Sequence, residues 1–179
     1  MKKEGSTLAA IDARRIISLL GLKPLNIEGG YYAETHRSRE RAAADCLPRR
    51  YGGGRPLATA IYYLLTPENF STLHRLKSDE VYHFYLGDPV ELSVICPGGR
   101  LEKRVLGSSL KRGQRPQAVV ERGCWQGARL APGGRFALLG TTVSPGFEFS
   151  DFEPGKRDIL LKRYPKHRRT ITRLTRKPG

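Results

Sequence analysis

Four side chains able to move a proton or hold a metal fall within ten residues of one another: His74, Asp79, Glu80 and His83. They lie in Ser71-Thr-Leu-His-Arg-Leu-Lys-Ser-Asp-Glu-Val-Tyr-His-Phe-Tyr-Leu-Gly-Asp88, among apolar strand formers. An imidazole titrates near pH 6.5, so His74 can give or take a proton at neutral pH. Glu80 can orient that imidazole, and Tyr82 or Tyr62 can donate a phenolic proton. The same His74 and Glu80 also have a plain reading, as a buried hydrogen-bonded pair without a ligand. His36 reads as a solvated residue at a strand end.

Two short strands must position these groups. Phe70 to Leu76 and Glu80 to Leu86 are joined by the polar turn Lys77-Ser-Asp79. Period-two alternation puts Phe70, Thr72, His74 and Leu76 on one face of the first strand. On the second, Glu80, Tyr82, Phe84 and Leu86 share one face and Val81, His83 and Tyr85 the other. Glu80 and His83 therefore face opposite ways unless a bulge intervenes.

The surrounding chain is rich in strands. Ala58-Thr-Ala-Ile-Tyr-Tyr-Leu-Leu65 predicts a buried central strand. Further strands are predicted over Tyr31 to Thr35, Val90 to Cys96, Leu101 to Leu106, Gln117 to Val120, Trp125 to Leu130 and Phe136 to Val143. Gly and Pro turns separate them, which predicts a closed or sandwiched all-β fold. Before the strands, Ala9, Ala13, Ile16, Ile17 and Leu20 make one apolar helical face over 7–20, with Ser6 or Thr7 as cap and Gly21 as stop. After them, Asp158 to Tyr164 and Lys166 to Leu174 predict two short helices broken at Pro165. Arg37 to Pro56 reads as a polar loop, either a mobile lid or plain surface, and Phe147 to Phe152 as an extended tail carrying aromatic and acidic residues.

Composition bounds the function. A length of 179 residues with 39% hydrophobic content suits one globular domain. No apolar run approaches the roughly 20 residues of a membrane span. No apolar signal core follows Met1-Lys-Lys-Glu-Gly-Ser, so a cytoplasmic location is expected. Cys46, Cys96 and Cys124 lack CxxC spacing and read as three free thiols. The net charge of +15 raises nucleic acid as a partner, with the densest cationic block over Lys156 to Lys177. No basic-aromatic repeat accompanies it, so a solvated basic surface is the favoured reading.

Several phrases carry a resemblance. His74, three residues beyond Leu76 to Glu80, and six more to Gly87 fit the first cupin motif (His-x-His, Glu, Gly), with Leu76 in place of the second His. Pro132-Gly-Gly134 with Ala137 and Thr141 fits the frame of the second motif, with Ala137 where its His would stand. Gly29-Gly-Tyr-Tyr, Thr59-Ala-Ile-Tyr-Tyr-Leu-Leu, His83-Phe-Tyr, Gly87-Asp-Pro, Gly123-Cys-Trp-Gln, Pro145-Gly-Phe-Glu-Phe and Asp151-Phe make the chain resemble one branch of that superfamily over most of its length.

The resemblance implies a jelly-roll barrel, or double-stranded β-helix, over about 28–152, with an N-terminal helix and short C-terminal helices over about 156–175 in a single domain. It implies a homodimer but no particular activity. With two motif ligands missing, no cofactor is firmly implied; a divalent transition metal would have His74, Glu80 and His83 as its candidate ligands. The leading expectation is a barrel pocket for a small polar molecule, a sugar or nucleotide derivative, around His74 and Glu80. Tyr62, His83, Phe84 and Trp125 are its candidate lining. The alternatives are a metal-independent epimerase or isomerase using His74 as base with Glu80 and Tyr82, a metal-dependent oxygenase, and a basic nucleic-acid-binding protein.

Overall fold

The computed structural model describes residues 12–176. Helix α1 (Ala13–Leu19) starts from Asp12, whose side chain accepts the Arg15 N–H at 2.8 Å, a regular N-cap. The Ser6 and Thr7 caps expected from sequence lie outside the described residues. Thirteen strands follow: β1 (Lys23–Pro24), β2 (Tyr31–Arg37), β3 (Arg41–Ala42), β4 (Arg55–Pro56), β5 (Thr59–Leu65), β6 (Ser71–Arg75), β7 (Asp79–Gly87), β8 (Val90–Ile95), β9 (Leu101–Leu106), β10 (Gln117–Val120), β11 (Trp125–Leu130), β12 (Ala137–Ser144) and β13 (Glu153–Pro154). Two helices end the fold, α2 (Arg157–Arg163) and α3 (Arg168–Arg173), separated by a 3-10 turn that Pro165 begins. No described helix is long and apolar enough to cross a membrane.

Eleven strands form two antiparallel sheets, ordered β1-β2-β5-β12-β7-β10 and β13-β6-β11-β8-β9, and β3 and β4 pair separately. From β5 to β8 and again from β9 to β13 the chain alternates between the two sheets, which is jelly-roll topology. The inner faces enclose Tyr63, Leu65, Tyr82, Leu92, Leu106, Ala128, Leu130 and Leu139. Each sheet is also covered outside. Ile16 and Leu22 pack on Leu64 and Leu138 of the first sheet. Leu160, Tyr164, Ile171 and Leu174 pack on Leu73, Ile95 and Trp125 of the second. Both faces of the central strands are therefore apolar, the pattern the run at 58–65 predicted.

The segment 37–56 is not a bare loop. It forms a β3–β4 hairpin and two 3-10 turns, with Tyr51 buried and its hydroxyl 3.0 Å from Ser78 Oγ.

Candidate functional site

The barrel interior is apolar along most of its length and polar at one end. β6 brings Ser71 and His74 there, β7 brings Glu80, β11 brings Gln126, and the loop before β2 brings Glu28. Glu28 Oε1 accepts from Ser71 Oγ at 2.6 Å. Glu80 Oε2 accepts from Gln126 Nε2 at 2.7 Å and lies 3.9 Å from His74 Nε2. His74 Nδ1 is 2.8 Å from Thr72 O, so its N–H donates there and Nε2 is presented to Glu80.

Two local departures from regular structure make this possible. Gly29 and Gly30 have φ of +116° and +68°, a region that favours glycine. A Cβ on Gly29 would overlap Phe70 O, and one on Gly30 would stand 2.8 Å from Leu64 O. Glycine thus lets the loop press against β5 and β6 with Glu28 turned inward. On β6, Gln126 pairs with His74 and Ala128 with Ser71, so three steps of β6 meet two of β11. This bulge puts Ser71 and His74 on the inner face together. It corrects the expected face of Phe70, Thr72, His74 and Leu76: Phe70 packs with the outer cluster, and Thr72 Oγ1 donates to Leu174 O.

Charge is concentrated here. Burial alone would depress the His74 pKa, but the carboxylates of Glu28 and Glu80 and the Thr72 carbonyl outweigh it and hold it at about 9. His74 is therefore an imidazolium at neutral pH. Burial pushes the Glu28 carboxyl up, against the opposing pull of His74. The phenols of Tyr63 and Tyr82 are pushed well up by burial, then by the charges of Glu28 and Glu80 respectively, and stay neutral.

Glu28 and Glu80 open onto a cavity of about 330 Å³ at the barrel mouth. Thr59, Thr141, Glu34 and Arg37 complete its polar lining, and Tyr32, Phe147, Phe149 and Phe152 form an aromatic side. The strap over 145–152 carries three of these aromatics. Arg55 grips Asp151 through two bonds of 2.6 and 2.7 Å, both side chains buried. Arg37 donates to Phe147 O and Glu148, and β13 then pairs with β6. The Phe152 ring stacks on His74, with centroids 4.9 Å apart and planes at 19°. Phe152 lines the cavity and screens His74, which is 1% exposed.

Of the residues singled out in the sequence, Glu80 is on the cavity wall and His74 directly behind it. Tyr82 and Phe84 face inward, as alternation predicted, but lie in the apolar core away from the cavity wall. Three expectations are corrected. Tyr62 points outward, edge-on to Tyr85 with ring centroids 5.9 Å apart. His83 also points outward, its Nε2 3.1 Å from Thr142 Oγ1 and its Nδ1 3.3 Å from Gln117 Nε2. The β7 bulge falls beyond Phe84, too late to bring His83 round to Glu80. Trp125 lies in the outer layer under Arg75, whose guanidinium is 4.6 Å from the ring centroid. His36 is exposed. Sequence reasoning missed Glu28, Ser71, Gln126 and Phe152. The available signals were a carboxylate before a Gly-Gly pair, and Gln126 three residues after Gly123.

The matches to known proteins agree with this architecture. A family model described as Cupin superfamily (DUF985) matches residues 14–154. The chain belongs to this family. The cupin is 30% identical over 133 residues to the uncharacterized protein YML079W of Saccharomyces cerevisiae, a match covering 69% of this chain and 66%, just under two thirds, of the yeast protein. Its fold is similar to that of protein SO0799 from Shewanella oneidensis, with a TM-score of 0.83 and 36% identity over 94% of this chain and 99% of that one. It is also similar to a hypothetical protein from Leishmania major, with a TM-score of 0.85 and 32% identity over 93% of this chain and 100% of that one.

The structure moves the second cupin motif. Ala137 pairs with Gly87, at the opposite end of β7 from Glu80, which pairs with Val143. Ala137 is thus far from the polar floor. Gly123-Cys-Trp-Gln126 has the same Gly-x-x-ligand spacing, and Gln126 stands opposite His74. The donors do not fit a transition metal. Gln126 presents an amide N–H to Glu80, Leu76 is apolar, and His83 is outside the barrel. Among the described residues, no three His, Cys, Asp or Glu side chains converge on a possible metal site.

Proposed function

We propose that this cupin binds a small polar molecule of the sugar class at the barrel mouth, with Glu28 and Glu80 recognising its hydroxyls. One observation carries the reading: two carboxylates open onto a 330 Å³ cavity whose other walls are largely apolar and aromatic. Small-molecule sites have this character, and this volume is at the small end of their range. Carboxylates accept from hydroxyls, and aromatic faces pack against the C–H face of a sugar ring. Nucleotide phosphates would meet Glu28, Glu34 and Glu80, while Arg37 is already engaged by Glu34 and Glu148. The sugar part of the expectation is therefore favoured over the nucleotide part. Calorimetric titration with a panel of neutral sugars, repeated on Glu80→Gln and Glu28→Gln, tests it. Unchanged affinity of both variants for every hit would refute it.

A second reading, a metal-independent epimerase or isomerase, is favoured by the raised pKa of Glu28. A carboxyl held up by burial beside a second carboxylate is a usable acid–base pair. In this reading Glu28 and Glu80 exchange the proton. His74, charged and screened by Phe152, balances their charge instead of acting as the base. Deuterium entering a sugar from solvent, and lost in Glu28→Gln, would support it; no exchange with the parent protein would exclude it for the sugars tried. We also propose a homodimer formed through the outer face of the first sheet, where Tyr85 and Val119 are 50% and 45% exposed.

A further inference from the structure

We infer that the occupant of the barrel mouth is a hydroxylated amine, an amino sugar or a molecule of similar size and charge, bound through its ammonium group. This narrows the sugar-site reading above and rests on it. The polar floor is rich in acceptors. A carboxylate has four lone-pair positions, and the described hydrogen bonds fill one on Glu28 and one on Glu80. The cationic group on the described wall is Arg37, and Glu34, Glu148 and Phe147 O occupy its guanidinium. A ligand that brings donors completes this floor, whereas one that brings acceptors does not.

Charge points the same way. Arg37 is shared between Glu34 and Glu148, and two carboxyl groups, Glu28 and Glu80, share the single His74 imidazolium, so acidic groups outnumber basic ones around the cavity. The chain as a whole carries +15. A negative cavity in a basic protein repels anionic ligands locally and attracts a cation at short range. Tyr32, Phe147, Phe149 and Phe152 line the same cavity as the carboxylates, and aromatic faces attract ammonium groups. Carboxylates and aromatic rings lining one cavity are the two elements of an ammonium receptor. The hydroxyl of Thr141 remains for the ligand's own hydroxyls, while Thr59 Oγ1 already accepts from Phe147 N at 2.9 Å.

The test titrates the full chain by calorimetry with glucosamine, glucose and glucose 6-phosphate, at one pH and ionic strength. Glucosamine is expected to bind at least tenfold more tightly than glucose, and the phosphate more weakly than either. In Glu80→Gln the difference between glucosamine and glucose should fall severalfold. Equal or tighter binding of glucose would overturn the amine inference and leave the sugar reading standing. Failure of all three hexoses would count against the sugar reading instead. Choline and its uncharged carbon analogue 3,3-dimethylbutan-1-ol then separate the two ideas. A preference for choline keeps the ammonium site, and equal binding or none overturns it.

Discussion

His74 should make the fold lose stability as the solution becomes alkaline. Its ordinary pKa is 6.5, and the folded protein holds it at about 9. The folded state therefore binds the proton more tightly than the unfolded chain. The resulting stabilisation is complete below pH 6.5 and is lost as pH rises through about 9. At about 1.4 kcal/mol per pH unit, the whole effect is roughly 3 kcal/mol. The ring is fully buried, so solvent screening takes little from this figure. Glu28, also raised, acts with the same sign but from pH 4.5 upward, and its pKa rises further when His74 is removed, so the parent-minus-variant difference has about 3 kcal/mol as its upper bound. Urea unfolding of the parent and of His74→Gln between pH 6 and 9.5 provides it, if the m-values agree. The parent should fall relative to the variant by up to about 3 kcal/mol across that range. Parallel curves would mean that His74 is neutral in the folded protein, and the charge balance described for the site would be wrong.

Other outcomes follow from the same geometry. Asp151→Ala leaves the Arg55 guanidinium buried without its carboxylate and should cost roughly 3–5 kcal/mol in urea unfolding; a loss under about 1 would show that the pair does not hold the strap. Gly29→Ala meets both a left-handed backbone and an overlap with Phe70 O, so a destabilisation of at least about 2 kcal/mol is expected, with weaker ligand binding as Glu28 shifts. Light scattering should give about twice the 20.0 kDa chain mass, and Tyr85→Glu should return the monomer; a monomeric parent at micromolar concentration would end the dimer proposal.

Much of the barrel was legible because its strands carry their own pattern. Alternation along β7 put Glu80, Tyr82 and Phe84 on one face and His83 on the other, and pairing with β12 preserves that separation through Phe84. The bulge beside Tyr85 then turns Leu86 to the outer face, opposite Leu138. The bulge in β6 has no comparable signal: Ser71-Thr-Leu-His-Arg75 contains neither Gly nor Pro, and its irregularity appears only against β11. Trp125 shows a different limit. Alternation separates Trp125 from Gln126 but does not say which of the two faces inward. Because α2 and α3 cover the outside of that sheet, an apolar residue is at home on either face. The second motif was misplaced because two Gly-containing turns, at 123 and at 132–134, both fit a loose frame, and only register against β6 chooses between them. Glu28 was missed because its inward turn depends on contacts with Phe70 and Leu64, some forty residues along the chain.

The helix that closes the outer layer also touches the site's foundations. Leu174 O accepts from Leu73 N at 2.6 Å and from Thr72 Oγ1 at 3.2 Å, at the β6 bulge that aims Ser71 and His74. Two residues on, Arg176 Nη1 donates to Asn26 O at 2.8 Å, beside the turn that carries Glu28. Residues 174–176 thus brace both halves of the carboxylate floor from behind. A chain cut before Leu174 would leave every residue of the cavity wall in the sequence and still withdraw support from beneath Glu28 and from the β6 residues behind Glu80. For ligand studies such a truncation perturbs the candidate site in its own right, and a fusion placed after residue 176 needs the same control as a substitution inside the barrel.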